Sequence, residues 1–246
     1  MYIRGNHAEL DVPTLVEFVK NYPLGLFTTA IKSDLAATLQ TSHIPFVIDE
    51  ADGDRPARLR AHMARANPQA KVLIEAAKAQ SNGDGTATLE DEVLVLFNAP
   101  VTAYVTPKFY TETKPDTGKV VPTWNYAAVQ VYGKITVHGA PTDQSSAFLQ
   151  DQIEELSERQ ERAAGHEKTW KVSDAPDRYI DMKKKAILGF EIAIDRIEGR
   201  FKLSQESTDG DWAGVVKGFR ALGTERSVAM ADMIEGRGAH RTVSLE

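Results

Sequence analysis

The feature that most constrains the fold of this chain is the stretch 129–138, in which apolar and polar side chains alternate. Its apolar positions are Val129, Val131, Ile135 and Val137, and most of the residues between them are polar. Successive side chains of a strand point to opposite faces, so this pattern predicts a half-buried β-strand with one wet face. Residues with high β-propensity predict further strands at 25–31, 36–48, 58–63, 92–98, 101–105 and 186–194.

Helical spacing of apolar residues predicts helices at 14–22, 142–162, 176–185, 215–222 and 225–235. Another helix should follow Asn67, a natural N-cap, because Pro68 suits the first helical position. Between these elements we expect an acidic turn at 49–54 and a flexible insertion at 80–90. Strands cluster in the first half and recur late, without long βαβ periodicity. The sequence therefore favours an α+β barrel over a doubly wound sheet.

Composition excludes several classes of protein. The chain has no cysteine, which rules out disulfides, thiolate nucleophiles and cysteine-based metal sites. Its 29 basic and 35 acidic residues give a net charge of −6, so we expect no direct binding to nucleic acid. Apolar stretches such as 93–97 are far shorter than the roughly 20 residues of a membrane span. The first residues lack the layout of a signal peptide, and we expect a cytoplasmic protein without membrane contacts.

Three weak signals are better explained as structure than as sites. The Gly-Asp-Gly sequence at 83–85 has no strand close before it, which favours a surface loop over a phosphate-binding loop. The acidic turn at 49–54 lacks the full ligand pattern of an EF-hand. The six histidines are scattered, so we expect no metal site built from side chains.

The first candidate binding segment is 60–68, together with 42–46. A strand end, then an arginine, then a helix start can hold a phosphate, because helix N–H groups and the Arg65 guanidinium both attract an anion. The alternative is that Arg65 and Asn67 only form a capped helix start. On the chemistry of these residues alone, the alternative is favoured.

Two further segments carry aromatic and polar side chains that could face a ligand. In 122–126, Trp124 and Tyr126 flank Asn125 and could enclose a planar ring, although core or interface anchors are the favoured interpretation. In 201–205, Lys202, Ser204 and Gln205 could all contact a ligand, although such a trio is usually a polar strand end.

Taken together, these segments resemble the PaiB-type FMN-binding proteins, which carry patterns close to GHxARANPQ, VPTWNY and KLSQN. This chain has AHMARANPQ at 61–69, VPTWNY at 121–126 and KLSQ at 202–205, in the same order. It also has the matching Met1-Tyr2 start and His43-Ile44-Pro45. Two positions depart from the pattern: Ala61 stands where the family often has Gly, and Glu206 stands where it often has Asn.

The resemblance implies a fold and an assembly. It implies a six-stranded antiparallel Greek-key split barrel with flanking helices, and two copies that hold FMN in grooves at a homodimer interface. Residues 1–223 would form this single domain with its helical additions, and residues 224–246 would form a C-terminal helix and tail.

The resemblance also implies a set of site residues. Those that would bind the cofactor are Thr28, Thr29, His43, His62, Met63, Ala64, Arg65, Asn67, Lys71, Trp124, Asn125, Tyr126, Lys202, Ser204 and Gln205. Trp124 to Tyr126 would line the ring. The ribityl phosphate and the edge of the isoalloxazine would be served by Thr28, Thr29, His43, Arg65, Asn67 and Lys71. The catalytic residue is unknown, with His43, His62 and Tyr126 as candidates for positioning or protonation.

Three functions stay open. The first is a flavin-dependent oxidoreductase that acts on a small molecule, in which the bound FMN supplies the electron chemistry. The second is a regulatory FMN-binding module, a negative transcriptional regulator that acts through partners. The third is a haem-binding or haem-degrading protein in which His62 or His166 ligates iron.

Overall fold

The computed structural model describes residues 1–53, 56–81 and 86–241. The predicted Gly-Asp-Gly loop at 83–85 and the last residue of the predicted acidic turn lie outside these ranges. The described residues form nine strands and seven α-helices. The strands are β1 Ala8–Glu9, β2 Leu24–Ala30, β3 Leu39–Pro45, β4 Val47–Asp49, β5 Arg58–Ala64, β6 Thr86–Asn98, β7 Ala103–Val105, β8 Thr123–His138 and β9 Ile187–Lys202. The helices are α1 Val12–Asn21, α2 Pro68–Gln80, α3 Thr113–Thr117, α4 Asp143–Ala163, α5 Asp177–Lys185, α6 Asp209–Leu222 and α7 Glu225–Gly236.

The strands pair in the order β3-β2-β6-β8-β9-β5-β4, with β1 added to β9 and β7 added to β8. The pairs β2–β3, β2–β6, β4–β5 and β5–β9 are antiparallel. The α+β class is therefore confirmed. The six-stranded count implied by the resemblance is not confirmed, because the described residues form nine strands, among them the short strands β1, β4 and β7. Among the described residues, no pairing joins β3 to β4 to close the path into a barrel.

The predicted elements are present, with changes at their ends. The strand predicted at 129–138 begins six residues earlier as β8, and the one predicted at 186–194 runs on to Lys202 as β9. The single strand predicted at 36–48 is split at Phe46 into β3 and β4. The prediction of a flexible insertion at 80–90 was wrong for residues 86–90. That stretch begins β6, where buried Ala87 and Leu89 alternate with exposed Thr88 and Glu90.

The chain divides into two compact units, each built from separate segments. The larger unit contains residues 16–97 and 130–197, and the smaller unit contains residues 1–15, 98–129 and the chain from residue 198 onward.

Aromatic packing forms the core of the larger unit. The Phe27 and Phe190 rings stack with centroids 5.0 Å apart. Phe46 meets both Phe97 and Phe190 edge-on, at 5.8 and 6.0 Å. All four rings are almost completely buried, and they come from β2, β6, β9 and the residue between β3 and β4. Burying one such ring contributes about 1.5–3 kcal/mol.

The smaller unit is held by short strands and a helical hairpin. β1 pairs with the end of β9, and β7 pairs with the start of β8. Gly223, at a φ of 65°, ends α6, and Thr224 then caps α7 by accepting a hydrogen bond from the Ser227 N–H. α7, which was predicted as a helix at 225–235, packs on α6, where Arg220 pairs with Asp232.

No helix among residues 1–53, 56–81 and 86–241 is both long enough and apolar enough to cross a membrane.

Candidate functional site

The helix cap predicted in the candidate segment 60–68 is confirmed. Asn67 Oδ1 accepts a hydrogen bond from the Gln69 N–H at 2.9 Å, and Pro68 is the first residue of α2. Asn67 Nδ2 donates to Ser42 Oγ on β3 at 3.0 Å. Asn67 therefore connects the start of α2 to the neighbouring strand as well as capping the helix.

Gln69 makes a second connection below the same helix end. Its side chain is buried, and its Nε2 donates to Thr29 Oγ1 at 3.0 Å and to the Phe27 carbonyl at 3.2 Å. Thr29 is thus engaged inside the unit. Its neighbour Thr28 is more accessible and shares a hydrogen bond of 2.9 Å with Thr41 Oγ1 on β3.

Arg65 lies in the bend between β5 and α2 and binds main-chain oxygens. Its Nε donates to the Ile187 carbonyl at 2.9 Å, and its Nη1 donates to the Gly139 carbonyl at 3.0 Å. A guanidinium has five N–H donors, so three remain. Among the described residues, no carboxylate forms an ion pair with Arg65. Burial lowers the pKa of its guanidinium. Arg65 is therefore a half-buried cation that has no counter-ion within the part of the chain that the structure describes.

The expected convergence of Arg65 with free N–H groups of α2 is not found among the described contacts. The Gln69 N–H is capped by Asn67 Oδ1, and the Lys71 N–H donates to the Asn67 carbonyl. Arg65 instead reaches the end of β8 and the start of β9. Its role at a phosphate stays a prediction, and the Gln69 and Lys71 N–H groups at the start of the helix already have acceptors.

Arg65 lines a cavity of about 460 Å³ in the larger unit. The loop at 140–142, the first two turns of α4 and the last turns of α5 form the rest of its wall. Lys184 and Lys185 bring two further cations, and Lys184 Nζ donates to Gln150 Oε1 at 2.9 Å. The sequence motifs did not identify these lysines, because they lie about 120 residues from Arg65 in the chain.

The other two motifs meet in the smaller unit. Asn125 is fully buried, and its Nδ2 donates to Ser204 Oγ at 2.9 Å. Ser204 has a φ of 63°, in the left-handed region, and Gln205 Oε1 accepts a hydrogen bond from the Leu203 N–H at 2.7 Å. The structure therefore gives Asn125, Ser204 and Gln205 a structural role in a buried turn after β9. Their role at a ligand stays a prediction.

Lys202 and Trp124 are two of the accessible members of these motifs. Lys202 Nζ donates to Thr123 Oγ1 at 2.6 Å and to the Trp124 carbonyl at 3.0 Å. Burial lowers the pKa of Lys202, although the Glu206 carboxylate acts in the opposite direction. The Trp124 ring is 54% exposed and meets Tyr104 edge-on at 6.0 Å. Tyr126 lies against the Arg200 guanidinium, 5.7 Å from its ring centre.

The family model described as "Putative FMN-binding domain" matches residues 1–196. The chain belongs to this family. The match includes the motifs at 61–69 and 121–126, whereas Lys202 to Gln205 lie beyond it.

Two relatives extend over nearly the whole chain. The uncharacterized protein AN0679 of Emericella nidulans is 52% identical over 97% of this chain and 98% of its own length. Protease synthase and sporulation protein PAI 2 of Bacillus subtilis is 25% identical over 96% of this chain and 98% of its own length.

Two solved structures are more distantly similar. The flavocytochrome Anf3 from Azotobacter vinelandii has a TM-score of 0.44 at 10% identity, and the match covers 84% of this chain and 75% of that one. A FAD-binding protein from Mesorhizobium loti has a TM-score of 0.39 at 10% identity, covering 78% and 94%. Likenesses of this strength carry no argument about the ligand or the fold.

The position at which this chain departs from the family pattern has a structural partner. Glu206 Oε2 lies 2.8 Å from Nε2 of His7, a buried histidine that the sequence did not single out. Burial acts to raise the pKa of Glu206, but the hydrogen bond with His7, a backbone hydrogen bond and the attraction of His7 and Lys202 together outweigh it, and the pKa is lowered. The one sequence signal for this pair was the carboxylate at a position where the family often has an amide.

The remaining predicted site residues of the larger unit differ in accessibility. His43 on β3, Ala64 at the end of β5 and Lys71 on α2 are exposed, whereas Met63 is buried. His62 is half-buried, with its Nδ1 2.5 Å from Gln152 Oε1 on α4. His43 and His62 stay candidates for protonation, as does Tyr126 in the smaller unit.

A second buried histidine was also missed. His138 ends β8, is 5% exposed, and stacks on Phe148 of α4 with ring centres 4.0 Å apart. Neither ring nitrogen has a hydrogen-bond partner among the described residues, and Glu191 lies 4.0 Å from Nε2. Burial lowers the pKa of His138, an effect that Glu191 partly opposes.

This burial predicts how stability depends on pH. Below the ordinary histidine pKa of about 6.5, the unfolded chain takes up a proton that the folded His138 resists, so the free energy of unfolding falls as pH falls. If burial lowers the pKa of the folded His138 by one pH unit, the free energy of unfolding falls by about 1.4 kcal/mol more at low pH. We expect His138→Phe to flatten the fall between about pH 7.5 and about pH 5.5 in urea unfolding. His43→Gln, at an exposed histidine, is the control and should keep the wild-type slope. A slope unchanged in His138→Phe would contradict the assignment.

Proposed function

We propose that this chain is a flavoprotein that binds FMN, and that Arg65 contacts its phosphate. The observation that carries the proposal is the half-buried Arg65 guanidinium, which has free donors and no carboxylate partner among the described residues. A buried cation without a counter-ion is costly, and an anionic ligand removes that cost. Membership of the FMN-binding domain family supports the choice of anion.

Arg65 fits the phosphate of such a ligand, because its guanidinium presents donors of the kind that bind phosphate in pairs. When bound, FMN supplies electron-transfer chemistry, and the protein binds and orients it.

We propose further that the protein works as a split-barrel homodimer. The support is a set of large apolar side chains in the smaller unit that are each more than half exposed: Tyr2, Leu10, Val121 and Trp124. Exposed apolar surface of this kind is commonly covered by a partner. Light scattering should give a two-chain mass at micromolar concentration. A one-chain mass would refute the dimer without bearing on FMN.

We propose that the bound flavin serves an oxidoreductase reaction on a small molecule. The test is whether the FMN-loaded protein oxidises NADH or NADPH faster than the same concentration of free FMN. Turnover above the free flavin supports the enzyme. A protein that holds FMN but gives no turnover would favour the regulatory module instead. The absorption spectrum of the purified protein, taken with added haem, tests the haem alternative by its Soret band.

The FMN proposal predicts a selective effect of Arg65→Ala. FMN should bind about tenfold to a hundredfold more weakly, because a charge-assisted contact contributes roughly 1.5–3 kcal/mol. Riboflavin has no phosphate and should lose little affinity. The measurement is a flavin fluorescence titration of both ligands against wild type and variant.

Lys78→Ala is the matched control, because Lys78 is an exposed cation at the far end of α2. It should leave both affinities unchanged. Equal losses of FMN and riboflavin in Arg65→Ala would mean that Arg65 only supports the fold. Wild-type protein that binds neither flavin would refute the proposed function.

A further inference from the structure

The cavity beside Arg65 combines elements that none of the recognised motifs contains. Its wall includes Ser145 and Ser146 from the first turn of α4, and Lys184 and Lys185 from the end of α5. Its volume of about 460 Å³ falls within the range of small-molecule sites, roughly 300–1,000 Å³. Every lining residue belongs to the larger unit.

The charges in this cavity are unbalanced toward the positive. Three cations line it: Arg65, Lys184 and Lys185. Two carboxylates also line it, those of Asp143 and Asp181. Asp181 lies 3.4 Å from Lys184 Nζ and so partly neutralises that lysine. Arg65 has no such partner among the described residues, and one net positive charge remains.

The geometry of Arg65 is fixed before any ligand arrives. Two main-chain carbonyls, those of Gly139 and Ile187, hold one side of the guanidinium. The cost of ordering a long side chain is therefore already met in the folded protein, which favours binding. The start of α4 adds a weaker attraction, because the helix dipole is positive there.

We propose that this cavity binds a phosphate monoester, and that it is the phosphate subsite of the proposed flavin site. A phosphate monoester carries about −1.5 to −2 charges near neutral pH and has three acceptor oxygens, which match a fixed guanidinium beside lysines. Lys184, Lys185 and the first turn of α4 then determine the preference for FMN over an unphosphorylated flavin. This inference rests on the proposed function, and its test separates the two.

The sharpest test is Ser146→Glu. Ser146 is exposed and lines the cavity, so the new carboxylate repels a phosphate there. An acid in the first turn of a helix favours the helix, so the melting temperature should not fall. We expect FMN affinity to fall about tenfold, equivalent to about 1.4 kcal/mol, with riboflavin unchanged.

Gln144→Glu is the matched control, because Gln144 lies in the same turn but does not line the cavity. At about 0.15 M salt its charge is largely screened, and FMN affinity should stay near the wild-type value. Lys184→Gln should also weaken FMN selectively, and Lys184→Arg should restore it. Lys183→Gln, at the neighbouring lysine outside the cavity, should have no effect.

Each outcome decides the inference. If wild type binds FMN and neither Ser146→Glu nor Lys184→Gln weakens it, the cavity is not the phosphate subsite, while FMN binding stands. Equal weakening of FMN and riboflavin also overturns the inference. If wild type binds neither flavin, the proposed function fails, and inorganic phosphate becomes the probe. If inorganic phosphate then raises the melting temperature of the wild type but not of Ser146→Glu, the cavity is a site for a free phosphate ester. If phosphate does not raise the melting temperature of the wild type, the site is refuted.

Discussion

The burial of four phenylalanine rings in the larger unit sets the register on which the rest of that unit depends. Phe27, Phe97 and Phe190 sit on three different strands, and Phe46 separates β3 from β4. A slip of one residue in any of these strands would move its apolar set to the other face. With β9 held in this way, the start of that strand lies beside the end of β5, where the Arg65 N–H donates to the Ala186 carbonyl.

Arg65 differs from Arg60 and Arg237, two arginines whose side chains are largely buried. Arg60 donates to both carboxylate oxygens of Asp49 and also meets Glu155, and these carboxylates outweigh burial to raise its pKa. Arg237 pairs with Glu9 at 2.5 Å. The fold thus supplies carboxylates to Arg60 and Arg237, whereas Arg200 donates to the main-chain carbonyl of Tyr2. It gives Arg65 main-chain carbonyls, which orient the group without neutralising it. This contrast is the physical basis for assigning an anion to that position.

Similarity to a family motif does not by itself place a residue at a ligand. Trp124 and Lys202 keep accessible groups, whereas Asn125, Ser204 and Gln205 are buried and bond to one another or to the main chain. Ser204 adopts a left-handed conformation that costs about 1–3 kcal/mol for such a residue, and these hydrogen bonds hold it there. A motif can recur because it builds a demanding turn as well as because it touches a cofactor.

The sequence by itself determined the α+β class, the main helices and strands, the Asn67 cap and the family. These follow from local periodicity, capping chemistry and contiguous motifs, all of which act over a few residues. Only the tertiary structure decided where the predicted strand at 36–48 divides and which groups His7 and His138 contact. It also decided which main-chain carbonyls the Arg65 guanidinium binds. Lys184 and Lys185 are far from Arg65 in the chain, and packing of α4 and α5 brings them to one cavity. No local pattern encodes such a meeting, because it depends on strand order and on which side chains are excluded from water.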